Sequence, residues 1–132
     1  DAFAERRIDT LSGGERQKVF IASALAQGAS IILLDEPTTF LDYRQAAGIL
    51  ELIRRMNRAS GITVISVTHD INQALDGSDR VLALKEGRVA FSGAPDALLA
   101  NNTLEHIFDL PFETLRSSST DRPRLFPKGL VT

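Results

Sequence analysis

Apolar residues gather in two kinds of run along this chain. Ile31, Ile32, Leu33 and Leu34 are four consecutive large apolar residues, followed at once by Asp35, Glu36 and Pro37. Such a block suits a buried parallel strand that ends at a polar edge, where the proline stops the strand and forces a turn. Residues 62–67 read as a second buried strand, and Thr68, His69 and Asp70 lie immediately beyond it. Elsewhere the apolar spacing is helical. Val19, Ile21, Ala22, Leu25 and Ala26 mark one helix, with Ser12 and Glu15 spaced as a capping box and Gly28 as its stop. Ile49, Leu50, Leu52, Ile53 and Met56 mark a second over about 43–59, capped by Asp42 with Gln45 and ended by Gly61. Glu51, Arg54, Arg55 and Arg58 form its wet face. A strand, a helix and a strand in that order predict a parallel pair joined by a right-handed crossover in an α/β sheet.

The rest of the pattern is simpler. Asp70 caps a short helix through Ala74 and Leu75, and residues 80–84 and 88–92 form a hairpin around Glu86 and Gly87. Pro95 opens a short helix to Leu99, and Thr103 caps another reaching Phe108; His106 belongs to its surface and is assigned no role. From Pro111 onward, Ser117 to Ser119, Pro123 and Pro127 predict an irregular tail docked by Phe112, Leu125 and Phe126. Residues 1–10 read as a short helix or a loop. Asp1 is not Met and residues 1–7 resemble the middle of a helix, so a piece of a longer chain is expected.

Composition narrows the classes. The 132 residues are enough for one domain with a core, and 43% hydrophobic with 24% charged residues is ordinary for a globular protein. A net charge of −2 with scattered Lys and Arg gives no reason to expect nucleic acid as the main partner. The absence of cysteine excludes disulfides and thiolate metal sites. No signal peptide and no run long enough to span a bilayer is present in the sequence.

Candidate chemistry sits where the strands end. In open α/β sheets ligands bind at the carboxyl edge; there Asp35 can hold a metal ion and Glu36 can polarise a water. His69 is either a structural or capping residue or, if the two strands are neighbours, a third group on the same edge. Gly13 and Gly14 need a reason, because each weakens a helix by roughly 0.5–1 kcal/mol relative to alanine. They either make a tight turn before a capped helix, or open the helix N-terminus to an anion, with Ser12 adding a hydroxyl donor.

These segments together resemble the ABC ATPases. Residues 11–17 match the family's signature sequence, 31–36 its Walker B segment with the catalytic glutamate, 39–42 its D-loop, and His69 its switch histidine. The resemblance implies the C-terminal part of a P-loop NTPase fold of α/β class, with flanking helices, a β-hairpin and short C-terminal helices. Residues 1–10 would end a helical subdomain, 11–100 would be the C-terminal part of the ATPase domain, and 101–132 a helix and irregular tail. It further implies ATP and Mg²⁺ as cofactors. Asp35 would hold Mg²⁺ through water, Glu36 would polarise the attacking water, and His69 would contact the γ-phosphate. Ser12, Gly13, Gly14 and Gln17 would face a nucleotide held by a second subunit, and Asp42 would lie at the interface of that homodimer.

The run 68–74 resembles importers of iron siderophores, haem and cobalamin. That implies a cytoplasmic subunit, peripheral on the membrane, acting on permease subunits fed by a substrate-binding protein. Alternatives are an ABC-type ATPase of DNA repair or chromosome maintenance, against which no heptad-bearing helix or basic face is evident; a helicase-like ATPase, which leaves 11–17 unexplained; and a non-catalytic interaction fragment.

No Gly-rich loop ending in Gly, Lys and Ser or Thr occurs in the 132 residues, so the Walker A phosphate cradle is not among them. In the family the Walker A strand lies in the same sheet. Apolar faces and a bare edge are therefore expected near 31–34 and 62–67, with self-association as the result. Alone, this chain is expected neither to bind ATP tightly nor to hydrolyse it; calorimetric titration that yields a micromolar ATP affinity would overturn that.

Overall fold

The computed structural model describes residues 6–115 and 123–129. The expected helical character of residues 1–5 and the serine run 117–119 lie outside the described residues. Two compact units divide at the His69–Asp70 peptide.

In the first unit, a 3₁₀ turn at Ile8–Thr10 leads to helix α1, Gly13–Ala26. Its capping box is complete: the Glu15 N–H donates to Ser12 Oγ at 3.3 Å, and the Ser12 N–H donates to Glu15 Oε2 at 2.8 Å. These bonds to Ser12 hold the Glu15 carboxyl below the usual glutamate range. Gly28, with φ +67, closes the helix as read from sequence, its N–H donating to the Leu25 carbonyl. Strand β1, Ile31–Asp35, pairs in parallel with β2, Thr63–Val67, in a register that sets Asp35 opposite Val67. Helix α2, Tyr43–Ser60, joins them; Asp42 accepts from the Gln45 N–H at 2.8 Å, and Gly61 ends the helix at φ +64.

The core of this unit lies on one side of the sheet. Ile21, Ile32, Ile49, Met56 and Ile62 are buried together, with Leu25, Leu34, Leu52 and Val64 packed against them. The strands, read from sequence as buried, are buried on one face only. Ile32 and Leu34 point to the helices, while Ile31 and Leu33 are 55% and 75% exposed, and on β2 Ile65 and Val67 are 51% and 58% exposed. The reason is the two-residue period of a strand, which sends alternate side chains to opposite faces, whereas α1 and α2 cover one face only. The open apolar face is the one expected near 31–34 and 62–67, although Ile62 itself is buried.

In the second unit, α3, Ile71–Gly77, starts at Asp70, whose carboxylate accepts from the Asn72 and Gln73 N–H groups. Strands β3, Val81–Lys85, and β4, Arg88–Gly93, form the expected hairpin. Glu86 and Gly87, at φ +51 and +73, make a two-residue turn of the kind that matches strand twist. Helices α4, Pro95–Leu98, and α5, Thr103–Phe108, follow. Thr103 is not the cap of α5 but its first residue; Asn102 occupies the cap position at φ +55, and the Thr103 hydroxyl donates to the Ala100 carbonyl.

The tail also departs from expectation. Phe112–Leu115 and Arg124–Pro127 are antiparallel strands, β5 and β6, rather than irregular chain. Leu125 is buried with Leu75, Leu98, Leu104 and Ile107, and Phe112 packs against that cluster, but Phe126 is 47% exposed. Strand alternation again decides: Leu125 and Phe126, being adjacent, cannot both face the core.

Ile49, fully enclosed, and Leu33, on the open face, separate the two sides of the sheet energetically. Ile49→Ala is expected to lower stability in urea unfolding by about 2–5 kcal/mol, whereas Leu33→Ser is expected to leave stability within about 0.5 kcal/mol and to reduce self-association in light scattering.

Candidate functional site

The register of β1 on β2 brings the two strand ends together. Glu36, one residue past β1, donates its N–H to the Val67 carbonyl at 3.0 Å, so the ladder extends one step beyond the strand. His69 lies two residues past Val67. Its Nδ1 stands 2.8 Å from Glu36 Oε1 and 2.9 Å from Oε2, close to equidistant from the two oxygens. The sequence left open whether His69 shares an edge with Glu36; the structure places them in direct contact.

A third residue completes this cluster. Thr39 donates its hydroxyl to Glu36 Oε2 at 2.9 Å, and its N–H to the Glu36 carbonyl at 3.1 Å. The second bond closes a four-residue turn with Pro37 at its second position, where the fixed proline φ favours turning. Sequence reading placed Thr39 in a loop and gave it no role at Glu36. The signal was present as the spacing Glu-Pro-Thr-Thr, in which the fourth residue of a turn returns to the first. Glu36 itself sits at φ +46, in the left-handed region that non-glycine residues seldom adopt.

The electrostatics follow from these bonds. The hydrogen bonds from His69 and then Thr39 hold the Glu36 carboxyl below the ordinary glutamate range, against a smaller opposing effect of burial. Glu36 is therefore a carboxylate at neutral pH and can only accept. The His69 proton that points at it must sit on Nδ1, which makes Nε2 an acceptor in the neutral ring and a donor only in the imidazolium.

Asp35 ends β1 and is exposed to solvent. Because Glu36 is engaged by His69 and Thr39, Asp35 is the carboxylate at this edge that remains for a hard cation. Among the described residues no group of three or more His, Asp or Glu side chains could hold a metal by itself. A single exposed carboxylate such as Asp35 is a donor of the kind Mg²⁺ takes, since that ion uses one or two carboxylates and completes its shell with water and phosphate oxygens.

A second cluster forms at the start of α1. Gly14 is buried, and a Cβ there would meet the Gln45 side chain at 3.1–3.2 Å, so this glycine has a packing reason: it lets α2 approach. Gly13 is exposed, and a Cβ there would meet only Leu41 Cδ2 at an ordinary 3.4 Å. Packing does not demand a glycine at 13. Ser12 is exposed beside it, and Gln17 lies on the same helix face, four residues after Gly13 and three after Gly14. The contacts through Leu41 and Gln45 bring the glycine turn against the segment that carries Asp42. Of the residues singled out from sequence, then, Glu36 and His69 meet directly, and Ser12, Gly13, Gly14 and Gln17 share one helix start adjoining Asp42.

The family model described as ABC transporter matches residues 1–39. The petrobactin import ATP-binding protein FpuC of Bacillus anthracis is 42% identical over 130 residues, which is 98% of this chain and 47% of that protein. The ferric enterobactin transport ATP-binding protein FepC of Escherichia coli is 40% identical over 126 residues, 96% of this chain and 46% of that protein. The chain thus spans about half the length of the curated relatives it matches. Among solved structures, an inward-facing ABC transporter assigned to the metal-chelate type superposes with a TM-score of 0.86 at 30% identity, covering 96% of this chain and 51% of that one. The dimeric ATP-binding cassette MJ0796, in a post-hydrolysis state bound to ADP and Pi, superposes with a TM-score of 0.62 at 42% identity, covering 72% of this chain and 40% of that one. Matching these proteins in sequence along nearly its whole length, and solved cassettes in fold, the chain belongs to the ABC transporter ATP-binding family.

Proposed function

We propose that this chain carries the water-activating half of an ATPase that powers an ABC importer of iron-siderophore or haem type. The observation that supports it most is the Glu36 carboxylate, held ionised and aimed by His69 and Thr39 at the carboxyl end of a parallel strand. A carboxylate fixed there accepts a hydrogen bond from water and orients it for in-line attack on a γ-phosphate. Asp35, next to it, would hold Mg²⁺ through water, and the ion supplies charge neutralisation at the phosphates. His69, with its proton on Nδ1 directed at Glu36, stabilises developing charge through Nε2 as the imidazolium.

Ser12, Gly13, Gly14 and Gln17 form the face that meets a nucleotide held by a second ATPase subunit, and Asp42 lies on the same face. Gly13, which packing leaves unexplained, is the residue that most favours this reading. The dimeric state of the cassette MJ0796 and the import role named for FpuC and FepC support a homodimer driving separate permease subunits. No helix among the described residues is long and apolar enough to cross a membrane. The subunit works on the cytoplasmic side, peripheral to the membrane, and the transported iron chelate or haem is met by the permease and its binding protein rather than by this chain.

The decisive experiment fuses this chain to an N-terminal segment of a homologous importer ATPase that carries a Walker A loop. ATPase activity is expected in the fusion, with a loss of at least about a hundredfold in Glu36→Gln, comparable to removal of a single transition-state donor. A folded fusion without activity would overturn the reading.

The sign of the pH dependence follows from the lowered Glu36 carboxyl. Its bonds to His69 and Thr39 contribute stability above the ordinary glutamate range, near pH 4.3, and that contribution is lost as pH falls through the lowered value. A ¹³C titration of the Glu36 carboxyl is expected to show a midpoint below that of free glutamate, moving upward in Thr39→Val and further in His69→Ala.

A further inference from the structure

The Glu36 carboxylate receives its hydrogen bonds unequally. An ionised carboxyl offers about two acceptor positions on each oxygen. His69 Nδ1 carries one hydrogen and stands 2.8 Å from Oε1 and 2.9 Å from Oε2, so its bond is shared and does not distinguish them. Thr39 does. Its hydroxyl donates to Oε2, at 2.9 Å. Among the described residues, Oε2 thus takes two donors, whereas Oε1 takes only its share of one. A single side chain breaks the symmetry of the carboxylate, and Oε1 is the oxygen left with acceptor capacity.

The local chain holds Thr39 to this task. Its N–H donates to the Glu36 carbonyl at 3.1 Å, which closes the turn over Pro37 and fixes the backbone of residue 39 relative to that of residue 36. Threonine is branched at Cβ and stiff at χ1, so a hydroxyl carried on that backbone keeps its direction. Turn, carboxylate and histidine all lie within the first compact unit. We propose that Thr39 is a positioning residue that divides the work of the two Glu36 oxygens: it occupies Oε2 and so leaves Oε1 to accept the hydrogen bond of the attacking water. Oε2 is the anchored end of the carboxylate and Oε1 the working end. This role deepens the reading of Glu36 as the water-activating group and rests on it; the unequal loading of the two oxygens does not.

The test takes two readouts. In the 132-residue chain without nucleotide, with its glutamates ¹³C-labelled, subtracting the infrared spectrum of Glu36→Gln isolates the two stretching bands of the Glu36 carboxylate. These bands separate further as the two C–O bonds become less alike. Thr39→Val, which keeps the shape and removes the donor, is expected to bring them closer; Thr39→Ser, which keeps the hydroxyl, is expected to hold them near the native separation. Thr39→Ala takes the place of the valine variant if that one does not fold. An unchanged separation in a folded variant lacking the hydroxyl would overturn the proposal. In the fusion enzyme, Thr39→Val is expected to lower kcat by about tenfold to a hundredfold at unchanged KM for ATP, the scale of loss that ångström-sized misplacement causes. Thr39→Ser is expected to recover most of it. Added to Glu36→Gln, Thr39→Val is expected to cost nothing further, because it acts through that carboxylate. A second loss of similar size there, or an unaltered kcat in Thr39→Val when Glu36→Gln is inactive, would overturn the role of Thr39 and leave the functional reading intact. Bands that respond as expected in a chain whose native fusion is inactive would overturn the functional reading and this role with it, leaving only the unequal carboxylate.

Discussion

The parallel pairing of β1 with β2 is the constraint on which the site depends. Strand register is quantised, and a slip of one residue would turn Ile32 out of the core and carry Glu36 away from His69 in the same movement. The burial of Ile32 and Ile62 against Ile21, Ile49 and Met56 thus does two things at once. It holds the unit together, and it sets two chemically active side chains from segments more than thirty residues apart within 2.8 Å. Hydrophobic packing has no directional preference of its own; here the ladder supplies the direction.

Around that register the polar groups are arranged so that each restrains another. Thr39 reaches Glu36 because Pro37 turns the chain, and Glu36, whose backbone stands in the left-handed region, accepts from both Thr39 and His69. The bonds that hold the carboxylate are also those that keep it ionised, so orientation and charge come from the same contacts. At the start of α1 the logic differs. Gly14 answers to the packing of α2, whereas Gly13 next to it answers to nothing in the fold, and the contrast between neighbours is more telling than the presence of two glycines.

Much of this was legible in the sequence because local signals and fold agree. The capping box at Ser12 and Glu15, the cap at Asp42, the stop at Gly61 and the turn at Glu86 and Gly87 each rest on a few adjacent residues, and each is found. What was not legible depends on partners distant in the chain. An open apolar face was expected at 31–34, but a run of four apolar residues looks the same from either side, so that Leu33 rather than Ile32 would lie on it could not be read from the run itself. Residues 111–127 looked irregular because serine and proline break strand periodicity, yet Leu125 finds its place through Asn72 and Leu75, far upstream. Thr39 was missed for a subtler reason: its role appears only once Pro37 is understood as the pivot of a turn that returns to Glu36.

The one-sided sheet has a calorimetric meaning as well. Unfolding raises the heat capacity mainly by wetting apolar surface, about 12–15 cal/mol/K per residue for a chain buried in the usual proportion. Ile31, Leu33, Ile65 and Val67 are already largely wetted in the folded unit and contribute little to that increment. The stability curve of this chain is accordingly flatter than its length implies, with less curvature on both the warm and the cold side of its maximum.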